Sequence, residues 1–73
     1  VRPEFMRQMI SSELEKQGFR RTGEREPVTS LTGKIVSYRD VFAKGGAQVS
    51  VGVYAPPNAA PSWSIRRHNS PAA

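Results

Sequence analysis

Arg39, Tyr54, Arg66 and His68 are the side chains whose types and spacing suit chemistry, and the chemistry is the holding of an anion. A guanidinium forks onto phosphate oxygens, and a strand-borne tyrosine ring stacks on an unpaired base. Arg67 follows Arg66 directly, and Arg20, Arg21 and Arg25 sit on an earlier segment that can extend the same positive field. These eight residues form the expected nucleic-acid-binding set. Gly52, among them on the expected sheet face, leaves room for a backbone or a flat ring to approach.

The same inventory excludes most other chemistry. The chain has no cysteine and one histidine, so neither a thiolate zinc site nor a pair of imidazole ligands can be assembled. No carboxylate stands near His68 in sequence to orient it as a general base. Glu13 and Glu15, two apart, diverge by about 200° on a helix and cannot share a substrate. Gly45-Gly46 lacks the following Lys-Ser/Thr and helix of a phosphate loop and reads as a turn. We therefore expect no catalytic residue, no metal, no cofactor and no small-molecule substrate.

Charge points the same way. The chain has 73 residues, with 11 Lys and Arg against 6 Asp and Glu, a net charge of +5. Residues 1–26 hold six basic and five acidic side chains, whereas residues 27–73 hold five basic ones against Asp40 alone. The expected function is a small basic non-enzymatic regulator that binds nucleic acid through an electropositive sheet face and the Arg20–Arg25 loop. The alternative is a phage- or plasmid-type regulator that docks on an acidic protein surface of a larger machine such as RNA polymerase. No apolar run approaches the ~20 residues of a membrane span, and the lack of cysteine fits a reducing compartment, so the expected location is the cytoplasm. Oligomeric state is left open.

The elements that must position these residues follow from periodicity. Phe5, Met6, Met9, Ile10 and Leu14 fall on one half of a helical cylinder, predicting an amphipathic helix over residues 3–17. Gly18 supplies a left-handed C′ residue, and Phe19 can pack back on Leu14 in a Schellman cap. Residues 20–34 read as a loop anchored by Val28 and Leu31, with a short edge strand at Val28–Leu31. Residues 34–43 and 48–55 alternate around Gly45-Gly46, predicting a hairpin that pairs Phe42 with Val49, Asp40 with Val51, Tyr38 with Val53 and Val36 with Ala55. Three prolines in residues 56–61 stop the ladder, and Ser62–His68 forms a further strand.

The expected fold is thus α+β. One N-terminal amphipathic helix packs on a three- to four-stranded antiparallel sheet, in one domain over 1–68 with a disordered tail at 69–73. The helix should cover Val36, Tyr38, Phe42, Val49, Val51, Val53, Trp63 and Ile65, with Trp63 in the core. Asp40, pointed inward, needs a cation, and Arg67 is the expected partner. Residues 1–5 read equally well as a non-native extension, with Met6 or Met9 as the natural start. So short a chain buries roughly 60% of its unfolded surface, and a stability of about 3–5 kcal/mol is expected.

Leu14-Glu15-Lys16-Gln17-Gly18-Phe19-Arg20 resembles the end of the first helix in the small ribonuclease toxins of Hic-type toxin–antitoxin pairs, which share a double-stranded-RNA-binding-like fold. That family places a catalytic histidine in a Gly-Ser-His setting soon afterwards. Here no histidine precedes His68, so the resemblance carries no activity to this chain.

Overall fold

Helix α1 spans Pro3–Lys16 and begins with proline in its first turn, where a missing amide costs nothing. It ends as its sequence dictates. Gln17 is the C-cap and Gly18 follows at φ +96°; the Gly18 amide donates to Glu15 O (3.0 Å) and the Phe19 amide to Leu14 O (2.9 Å), the two bonds of a Schellman motif. Phe19 then packs against Leu14 in the core. Lys44 adds a cation at this helix end, its Nζ donating to Gln17 O at 2.7 Å. Gly18→Ala should cost about 1 kcal/mol, read as a lower urea midpoint at unchanged m-value, because alanine must take up the left-handed angle.

The computed structural model describes residues 2–69. Four strands follow α1: β1 (Arg20–Thr29), β2 (Ile35–Lys44), β3 (Ala47–Tyr54) and β4 (Ser62–Asn69), antiparallel in the order β1-β2-β3-β4. The architecture is α+β, one helix on a four-stranded antiparallel sheet, as the periodicity predicts.

The β2–β3 hairpin turns on Gly45-Gly46 with Lys44 opposite Ala47. Only Gly45 of the pair has positive φ (+58°), the pattern of a type II′ turn. Phe42 pairs with Val49 and Asp40 with Val51, as expected, but the ladder stops there. The expected pairs Tyr38–Val53 and Val36–Ala55 do not form. Beyond Asp40, β2 instead lies close against β3. The Ser37 hydroxyl donates to Val53 O at 2.9 Å, and a Cβ on Gly52 would stand 2.2 Å from Tyr38 O. The space that Gly52 seemed to offer a ligand is therefore filled by the protein's own backbone.

Residues 20–29 are a full strand rather than a loop. Their weak alternation has a cause: between Arg21–Phe42 and Arg25–Asp40 the register shifts by a bulge at residues 22–24. There Gly23 takes φ +88°, while the Thr22 hydroxyl donates to Val41 O (3.3 Å) and accepts from the Glu24 amide (3.2 Å). Pro27 is tolerated because β1 is an edge strand. Leu31 is no anchor; it is fully exposed in the turn closed by Ser30 N to Lys34 O (2.8 Å).

The core sits to one side of the sheet. Leu14, Phe42 and Val51 are buried together, with Ile10, Phe19 and Val49 packed around them. The helix packs on β3, so Val36, Tyr38, Trp63 and Ile65 stay exposed rather than covered, and Trp63 is 44% exposed rather than core. A single short helix cannot span four strands, and its main inward apolar residues, Ile10 and Leu14, pack with Phe42, Val49 and Val51 in the middle of the sheet. β4 runs one residue past the expected end, Asn69 pairing with Ala47; the rest of the expected tail, 70–73, lies outside the described residues.

Candidate nucleic-acid interface

Strand parity and register sort the eight expected residues onto two faces. Arg20 opposes Ala43, Arg39 opposes Glu26, Arg66 opposes Ser50, His68 opposes Gln48 and Tyr54 opposes Ser62, all on the face away from α1. Arg21, Arg25 and Arg67 lie on the helix face, opposite Phe42, Asp40 and Val49. They cannot extend the field of the other five as expected, because the bulge keeps both Arg21 and Arg25 in phase with Phe42 and Asp40.

On the helix face Asp40 finds its partners, and they are not Arg67. Arg21 Nη1 stands 3.2 Å from Asp40 Oδ2 and Arg25 Nε 3.2 Å from Oδ1. Arg67 lies on β4 opposite Val49 and, among the described residues, forms no ion pair with Asp40. Arg21 also donates from Nη2 to the buried Ser11 hydroxyl at 2.8 Å and covers the Phe42 ring, while Arg25 covers Tyr38. Arg21 thus ties β1 to the helix and Arg25 ties β1 to β2, both remaining about half exposed.

The outer face is organised around a residue that sequence reasoning missed. Glu26, directly opposite Arg39, accepts its Nη1 at 2.7 Å and has Arg66 Nη1 at 3.9 Å and His68 Nε2 at 3.5 Å. The Ser50 hydroxyl donates to Glu26 Oε2 at 3.4 Å, and Arg39 Nε donates to Ser64 Oγ at 2.9 Å. Adjacent strands lie about 4.8 Å apart, so a side chain of β1 meets two of β4 only because the sheet curls toward this face. Ser50 is fully buried beneath the cluster, and Val41 and Gly52 are buried beside it.

The expected open basic face is therefore a concave one with a carboxylate at its centre. His68 does have an acidic neighbour, Glu26, brought from a distant strand. Ser50 is close to the same carboxylate, but its hydroxyl is sealed from solvent and bonded to Glu26, so it offers no accessible nucleophile. Among the described residues no three His, Cys, Asp or Glu side chains cluster as metal ligands, and no helix is long and apolar enough to cross a membrane. The signal for Glu26 was the alternation Glu24-Arg25-Glu26, hidden by Pro27 and the bulge.

Comparison with protein-family models, curated proteins and solved structures gave no match. The short likeness to the toxin helix reduces to cap chemistry: Leu14, Gly18 and Phe19 are the three residues that the Schellman turn uses.

Proposed function

We propose that this protein is a cytoplasmic, non-enzymatic regulator that binds nucleic acid, mainly through phosphate contacts from the outer sheet face. The observation that carries the reading is the imbalance around Glu26. One carboxylate is shared by Arg39, Arg66 and His68, with Arg20 further along the same face. Arg39 is held by short bonds at 19% exposure and acts as a fixed post; Arg66, at 61% exposure and 3.9 Å from the shared acid, is free to turn to a phosphate. Tyr54 lies on the same face at the strand end, where its ring can stack on a base.

Arg20→Ala/Arg66→Ala should lower affinity for a 12-nucleotide single strand and reduce the slope of log K against log salt by roughly 0.7 per lost contact, with an unchanged melting curve. Fluorescence anisotropy at two salt concentrations measures it. An unchanged slope in the double variant refutes the outer-face reading.

A further inference from the structure

The two edges of this sheet are built differently. β1 is guarded as edge strands commonly are, by a proline, a bulge and a fringe of ion pairs. β4 has neither proline nor bulge: its register with β3 runs from Ser62 to Asn69 without a shift, and its ion pairs, from Arg66 and His68 to Glu26, reach inward across the outer face. Among the described residues it pairs with β3 alone, which leaves one full row of backbone donors and acceptors unsatisfied by the protein.

Beside that edge lies an apolar groove. Because α1 rests on β3, an open cleft of about 410 Å³ lies between the helix and β4, lined by Ile10, Leu14, Val51 and Ile65 together with the polar Gln48 and Arg67. Ile65 is 52% and Trp63 44% exposed along the same face. Met9, 54% exposed, lies about 100° around the helix from Ile10, on the side away from Ser11.

We propose that the β4 edge and this groove receive an extended acidic segment of a partner protein, which adds to the sheet as a fifth strand. The backbone row fits only another polypeptide strand, and alternate apolar side chains of that strand would enter the groove against Ile65 or lie along the exposed Trp63 beside it. Charge selects its composition. Residues 62–68 of β4 carry Arg66, Arg67 and His68 and no acid. A second copy of this chain would bring the same cations and a net charge of +5 to the edge. A nucleic acid offers neither the amide ladder nor aliphatic side chains. The apolar side chains of the added strand use the inner face and edge of β4; only its acidic side chains, at the outer rim, approach Arg66 and His68.

The test is selection from a displayed library of random ten-residue peptides, followed by anisotropy with the winners and amide chemical shifts of the protein. Winners should alternate apolar and acidic residues, shift the amides of residues 62–68, and lose at least tenfold in affinity for Ile65→Glu. N-methylation of alternate peptide amides in the register that faces β4 should abolish binding, a loss that altered folding of the protein cannot produce. Selection without the alternating pattern, or equal binding by Ile65→Glu when its α1 and β3 shifts are native, overturns the proposal. So does displacement of the winners by a 12-nucleotide single strand that shifts the same edge amides, or sedimentation showing β4-mediated self-association. Weakened oligonucleotide binding in Arg20→Ala, with peptide binding retained, separates the two surfaces, because Arg20 lies on β1 at the opposite edge of the sheet from β4.

Discussion

Gly52→Ala should leave the protein largely unfolded at 25 °C. The added methyl would lie 2.2 Å from Tyr38 O and 3.1 Å from Arg39 Cα, both backbone atoms that no rotamer change can move. Relief requires β2 to separate from β3, which breaks the Ser37–Val53 bond, pulls Arg39 away from Ser64 and carries Glu26 away from Ser50. Overpacking of this kind costs about 3 kcal/mol or more, as large as the whole stability expected of so small a chain. Far-UV circular dichroism and a urea titration measure it. Gly23→Ala is the control: its Cβ meets nothing within 4 Å, so only the strain of φ +88° remains, about 1 kcal/mol. Equal midpoints for the two variants would show that the contact at Gly52 is not the cause.

Glu26→Gln should move stability and binding in opposite directions. The amide is nearly the same shape and can still accept from Ser50, but Arg39, only 19% exposed, loses its counter-charge while Arg66 and His68 lose a shared attraction. For a pair that is mostly but not wholly withdrawn from water, the loss is about 2 kcal/mol. Affinity for single-stranded nucleic acid should nevertheless rise, by roughly fivefold at low salt, because a negative charge leaves the middle of the proposed contact face. Thermal melts and anisotropy on one preparation give both numbers. A fall in affinity that tracks the fall in stability would place phosphate binding elsewhere on the molecule.

The parts of this fold that were legible in the sequence are those fixed by neighbours in the chain. The helix end at Gly18-Phe19 and the Gly45-Gly46 hairpin each depend on residues within a few positions of one another, and both stand as expected. β1 was not legible because its pattern is broken twice, by Pro27 and by the bulge at residues 22–24; its pairing is supplied by the backbone of β2, which leaves no mark on the side-chain sequence. The candidate site suffered accordingly. With residues 20–34 taken as a loop, Glu26 had no place in the sheet, and Asp40 stood as its lone acid. Once β1 is paired, Arg39 acquires a carboxylate directly opposite, and Arg21 and Arg25 move to the far face to meet Asp40. The exposure of Trp63 and Ile65 depends on where one helix comes to rest across four strands, and periodicity within a strand carries no information about that.

Strand order has a kinetic corollary. Every strand here is bonded to the one before or after it in the chain, so each hairpin can close without waiting for a distant segment. α1 is the exception: it precedes β1 yet seats on β3, on the far side of an intervening hairpin. Its docking therefore closes a far longer loop than any of the hairpin turns, a larger entropic cost that places it after the hairpins in folding and among the first attachments to let go when the chain is pulled from its amino end.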